Sequence, residues 1–236
     1  MKIIKLQLLI VIVYCTAFVC KNANAGLSGI ENMQYLRLDY IESVKKTLSP
    51  FLSEKLKKGE LLGLTAIKDN HQTTLIMMTN FHEGSPTYSL QSDGTVSSAD
   101  LFGSEHPYSL KVDKDAVHIC YSPSKCYKYV YVGNIESFLG RMLFSGKYTD
   151  MMGNIYKFNN DGTVILNGIM YNYYVSADHI QISHDMIRLV HGEEQNLFKF
   201  IFNNGTVALY KIHGEANDVD SNPWLTLKRI ADNVGE

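Results

Sequence analysis

Apolar positions along the chain change period near residue 60. Over residues 28–58, Ile30, Met33, Leu36, Tyr40, Val44 and Leu48 recur three to four apart, the spacing of a helix with one buried face. Ser28 with Glu31 has the form of a capping box, and Ser49-Pro50 supplies a second cap with a first-turn proline before Gly59 stops the run. From Leu61 onward the period is two. Segments such as "LLGLTAIKDNHQTTLIMMTNF", "KCYKYVYVG", "IMYNYYVSADHIQIS" and "LFKFIFNNGTVALYKI" alternate apolar and polar residues between Gly, Asn and Asp turns. One helical interruption, "NIESFLGRMLF", follows Gly133 and ends at Ser145-Gly146. The pattern predicts a mainly antiparallel β protein. Residues 26–60 form an N-terminal helical segment, 61–133 a first β-module, 134–145 a helical connector and 146–236 a second β-module.

The turns repeat. "YSLQSDGTV" at 88–96 and "YKFNNDGTV" at 156–164 share a tyrosine, an apolar residue two positions on, and Asp-Gly-Thr-Val. Each is followed by a second tyrosine-led strand, at Tyr108 and Tyr171, and "FIFNNGTVAL" repeats the turn with Asn-Gly. Glycine before Thr-Val can take positive φ without steric cost, which predicts two-residue hairpin turns. With these motifs, residues 146–230 resemble the small lipocalin-like β-domains of exported bacterial proteins, and residues 61–133 resemble a divergent second copy. The resemblance implies strongly curved antiparallel sheets or barrels and implies little about ligand.

The first 25 residues have the form of a cleaved export signal. Lys2 and Lys5 precede an apolar run over residues 6–19, and Ala23-Asn24-Ala25 is a small-x-small site that places cleavage between Ala25 and Gly26. A retained membrane anchor would need a longer apolar run. Cys20 does not read as a lipoprotein cysteine, because Phe18 and Val19 precede it where small residues are needed. Removing Lys2, Lys5 and Lys21 from 22 basic residues leaves 19 against 24 acidic ones, a formal charge of −5. A mildly acidic chain without a Lys/Arg cluster argues against nucleic acid and against anionic membrane surfaces.

Cleavage also removes Cys15 and Cys20, leaving Cys120 and Cys126 in "CYSPSKC". An even pair across a Ser-Pro-Ser turn in an oxidising compartment reads as a disulfide pinning a hairpin. The rival reading adds His118 to make a metal site, but two sulfurs and one nitrogen are an incomplete zinc set.

Other chemistry is sparse. In the Asn159-Asn160-Asp161-Gly162 cluster, Lys157 stands where a calcium loop needs its first ligand. Asp218, Asp220 and Asn222 are better spaced, yet Pro223 replaces the loop glycine and Arg229 takes the place of the closing acid. The eight histidines are scattered without a His-Glu-x-x-His pair, and no Gly-x-Ser-x-Gly is present. No catalytic residue, metal site or cofactor is therefore assigned, although a triad built from distant segments is recognisable only by geometry.

Tyrosines are the more suggestive feature. Alternation puts Tyr127, Tyr129 and Tyr131 on one face of a strand and Tyr171 and Tyr173 on one face of another. Either face is a candidate for contacting a partner or ligand, or for simple packing. An outer-membrane barrel is disfavoured by short, irregular strands and a non-aromatic C-terminal sequence, "ADNVGE". The expectation is an exported, soluble, non-enzymatic binding protein without a membrane segment after cleavage. Its first-choice partner is a protein, as for a periplasmic inhibitor or immunity-type protein. The alternatives are a carrier of a small apolar ligand and, third, a hydrolase.

Overall fold

The computed structural model describes residues 31–57, 61–68, 72–78, 87–91, 96–98, 109–112, 115–179, 182–214 and 217–231. The expected export signal, its cleavage site and the Asp93-Gly94 turn lie outside the described residues. As the alternation predicts, the chain is mainly antiparallel β. An eight-stranded curled sheet has the order β5-β4-β3-β2-β1-β8-β7-β6, and a second set of eight strands closes into a barrel.

The first sheet is built from β1 (Glu31–Arg37), β2 (Gly63–Lys68), β3 (Gln72–Met78), β4 (Thr87–Gln91), β5 (Val96–Ser98), β6 (Ser109–Val112), β7 (Ala116–Ser122) and β8 (Lys125–Gly133). Here the structure corrects the sequence reading, because residues 31–37 are a strand and not the start of a helix. β1 lies in the middle of the sheet, antiparallel to both β2 and β8. Its two faces are both covered: Tyr35 belongs to a small core with Leu64, Val117, Ile119 and Tyr129, and Leu36 belongs to the main core. Tyr35 and Leu36 are adjacent and both buried, which interrupts the alternation at the strand's end. Met33, Leu36 and Tyr40 thereby acquire helical spacing by coincidence.

Two helices follow. α1 (Leu38–Thr47) carries Asp39 in its first turn and Lys45 and Lys46 in its last, charges that suit the helix dipole. It buries Tyr40, Ile41 and Val44. α2 (Pro50–Leu56) starts as predicted, with Pro50 at its first turn and the Ser49 side chain accepting from Leu52 N at 2.9 Å. α3 (Ile135–Phe144) is capped by Asn134, whose side chain accepts from Ser137 N at 2.9 Å. Gln34 of β1 accepts from Ile135 N at 2.8 Å, so the first sheet also holds this helix start.

The barrel runs β9 (Gly146–Thr149), β10 (Ile155–Phe158), β11 (Thr163–Leu166), β12 (Ile169–Val175), β13 (Met186–His191), β14 (Glu194–Asn203), β15 (Thr206–Lys211) and β16 (Leu225–Ile230). Each strand pairs with the next, and β16 returns to β9, so no sheet edge is left open. Inward residues alternate with outward ones, as in the buried Tyr156 and Phe158 of β10 and Val207 and Leu209 of β15.

Phe144, the last residue of α3, plugs the barrel. Its ring lies 5.4 Å from Phe158, 5.1 Å from Phe200 and 5.1 Å from Phe202, centroid to centroid. Gly140, one turn earlier, lets the helix approach Tyr173 so closely that an added Cβ would meet its ring at 3.2 Å. Arg188 of β13 fastens the helix start through Glu136 at 2.6 Å. One continuous core therefore takes in α1, α3 and the barrel interior, and both helical segments belong to it.

Candidate binding site at the far end of the barrel

The two ends of the barrel differ. The near end receives α3 and docks α2 against the β12–β13 loop, where Phe51 N donates to Asp185 Oδ1 at 2.8 Å. In the same contact His179 Nδ1 lies 2.8 Å from Glu54 Oε2. His179, His184 and Asp185 are all buried there, and Nε2 of each histidine has no hydrogen-bond partner among the described residues. Burial raises the Asp185 carboxyl above its ordinary range, and burial lowers the His184 imidazole with help from Lys199 and His179.

The far end consists of the β9–β10, β11–β12, β13–β14 and β15–β16 connections, and among the described residues no helix covers it. Two features converge there. The first is an apolar outer face. Met151 and Met152 in the β9–β10 turn are 94% and 88% exposed, and Ile155, Ile165 and Met170 on β10, β11 and β12 are each more than half exposed. Ile165 and Met170 stand directly opposite each other across the ladder. Isolated exposed apolar residues are ordinary; five at one end make that end a candidate interaction surface.

This loop is held in shape. The Asp150 carboxylate accepts from Met152 N, Asn154 N, Asn154 Nδ2 and Tyr156 Oη at 2.8–2.9 Å. Those donors, Asn154 first, keep the Asp150 carboxyl below its usual range despite some desolvation. The methionines are thus presented on an ordered turn.

The second feature is a cavity of about 150 Å³ inside the same end. Leu166 and Leu189 form its floor, with Tyr171, Phe198 and Trp224 around it and Lys211 at the rim. Phe198 and Trp224 stack at 4.7 Å with 26° between their planes, and the Tyr171 ring meets His191 edge-on at 5.8 Å. The single tryptophan of the chain therefore sits in the wall of this cavity.

The tyrosines singled out from the sequence divide. Tyr129 is fully buried in the first sheet and donates to Leu61 O at 3.1 Å. Tyr173 is buried in the barrel core and donates to Asn159 O at 2.7 Å. Tyr127 is half-buried under the Arg37 guanidinium, 4.5 Å from its ring, and Tyr131 is half exposed with its ring 5.7 Å from Tyr35. Only Tyr171 reaches the far-end cavity.

Cys120 and Cys126 are directly opposite in the β7–β8 hairpin, with Cα atoms 4.0 Å apart, and their sulfurs are bonded. Among the described residues no group of three His, Cys, Asp or Glu side chains is placed to hold a metal ion. The Asn159–Gly162 cluster is a turn. Asp161 accepts from Thr163 N and Oγ1 at 2.9 and 2.7 Å, and Gly162 takes φ +90°. Asn159 closes the loop through its N–H to Thr163 O, leaving three residues between the paired positions and not two. Asn204-Gly205 does make the two-residue turn expected, with both residues at positive φ. In the 218–224 segment, the Asp220 carboxylate is taken by His213 Nε2 at 3.0 Å.

The apolar outer face and the cavity escaped sequence reading because each is assembled from several strands. Ile165 and Met170 look like any strand residues until the ladder places them side by side. Among the described residues, no helix is long and apolar enough to cross a membrane. Comparisons with protein families, with curated proteins and with solved structures return no match to this chain.

Proposed function

We propose that the protein is an exported, non-enzymatic binding protein that engages a protein partner through the apolar outer face at the far end of its barrel. The observation that carries this reading is that Met151, Met152, Ile155, Ile165 and Met170, all more than half exposed, lie at the same end of the barrel. Methionine and isoleucine give adaptable apolar contact without fixed polar demands, which suits a protein surface. The export signal over residues 1–25 and the bonded Cys120–Cys126 pair support action outside the cytoplasm, in the periplasm or beyond it. An inhibitor or immunity-type role fits a chain whose distinctive surface is a contact face.

The test is affinity capture from the envelope fraction of the native host. Wild type is compared with Met152→Lys/Ile155→Lys and with Tyr127→Ser/Tyr131→Ser. A stoichiometric protein retained by wild type and by the tyrosine variant, but lost by the Met152/Ile155 variant, supports the reading. A partner indifferent to the far-end variant, or no stoichiometric partner at all, overturns it.

A further inference from the structure

The far-end cavity has a size, a lining and a charge that together specify a ligand. We infer that it is a binding site for a small aromatic carboxylate, whose ring packs against Trp224 and Phe198 and whose charge is met by Lys211. This inference stands independently of the protein-partner reading above.

Size comes first. An enclosed cavity of roughly 150 Å³ accommodates a single benzene-sized ring; this one has about that volume, opens to solvent, and adds Asn167, Glu194, Asn196 and Lys211 to its apolar and aromatic lining. A long acyl chain or a polycyclic ligand would project from it into solvent. The lining then selects ring over chain. Leu166 and Leu189 supply an apolar floor, and Trp224, Phe198 and Tyr171 supply aromatic faces and edges. An aromatic guest gains offset or edge-on contacts from such walls beyond its area of burial.

The rim selects the charge. Lys211 stands opposite Phe198 across the β14–β15 ladder, and its ammonium is 5.8 Å from the Trp224 ring. Among the described residues Lys211 forms no salt bridge. Glu194, the acidic residue of the lining, accepts from Asn196 Nδ2 at 2.9 Å and keeps its negative charge, so a bound carboxylate must sit on the Lys211 side of the opening. A carboxylate entering ring-first would thus leave its charge beside an ammonium able to make a charge-assisted hydrogen bond.

Because Trp224 is the chain's sole tryptophan, its fluorescence reports on this cavity. Titrating the full chain with benzoate is expected to give a saturable change in that fluorescence. Benzyl alcohol, benzylamine and cyclohexanecarboxylate should each bind more weakly than benzoate. Lys211→Met and Lys211→Gln, both at an exposed side chain, should weaken benzoate by about tenfold, the loss of one charge-assisted contact. Methyl NMR shifts confined to Leu166, Ile169 and Leu189 would locate the guest in the cavity. The inference is overturned by a non-saturable response, by benzylamine or cyclohexanecarboxylate equalling benzoate, by unchanged affinity in both lysine variants, or by shifts elsewhere.

Discussion

His179 Nδ1 lies 2.8 Å from Glu54 Oε2, joining the β12–β13 loop of the barrel to helix α2 across 125 residues of sequence. The imidazole is almost fully buried and the carboxylate is mostly so. Removing one partner strands the other in a site that water does not reach. Glu54→Ala is expected to lower unfolding stability by about 1–3 kcal/mol. Denaturant unfolding should show a shifted midpoint with an unchanged slope. A midpoint equal to that of wild type would mean that α2 is held by other contacts.

His184 and Asp185, neighbours in the same loop, respond to pH in opposite senses. Burial, then Lys199 and His179, hold the His184 imidazole below its ordinary 6.5. The unfolded chain therefore takes up that proton first as pH falls, and stability drops from about 6.5 toward the folded value. Burial raises Asp185 above 3.8, against the hydrogen bonds from Ser49 and Phe51 N and the nearby His179. Its contribution is complete below 3.8 and is lost as pH rises through the raised folded value. Stability measured between about pH 4 and 8 should lose its acid limb in His184→Gln and its opposing limb in Asp185→Asn. Persistence of the acid limb in His184→Gln would assign it to another group.

Gly140 sits inside a helix, where alanine normally stabilises by roughly 1 kcal/mol. Here the added methyl would meet the Tyr173 ring at 3.2 Å and its carbonyl oxygen at 3.4 Å. Tyr173 has little freedom to retreat, since its hydroxyl is tied to Asn159 O and its ring packs on Phe158 at 5.2 Å. Overpacking costs about 1–3 kcal/mol, so Gly140→Ala is expected to lower the thermal midpoint despite the better helix former. A raised midpoint would show that the helix can shift outward without loss.

Reducing the Cys120–Cys126 bond opens a loop with a sequence separation of only 6. Such a short loop constrains the unfolded chain modestly, by about 2 kcal/mol. Cys120→Ser/Cys126→Ser should therefore fold and show that loss in denaturant unfolding, with the barrel's amide-exchange protection unchanged. Loss of barrel protection would mean that the hairpin supports the barrel as well as its own sheet.

The barrel was legible because its strands are buried on one face only. Ile155 to Phe158 alternate out and in, and Asn204-Gly205 announces its turn by residue type alone. β1 was not, since adjacent Tyr35 and Leu36 enter different cores and interrupt the alternation that would mark the strand. Strand direction could be read for Tyr127, Tyr129 and Tyr131, but their depth could not: Tyr129 is fully buried and Tyr131 is half exposed on the same strand. Depth depends on what other strands bring over each ring. For the same reason, the far-end cavity needs Leu166, Leu189, Phe198 and Trp224 from four different segments before it exists.

The central place of β1 also sets an order of events. Its partner β8 lies about a hundred residues later, with Leu36 paired to Val130. The barrel, apart from its closing β16–β9 seam, is a succession of neighbouring hairpins. Pairings between distant segments form slowly because a long loop must close before any contact rewards it. The first sheet is thus completed last: β1 can pair with β2 early, but its other edge must wait unpaired until β8 arrives.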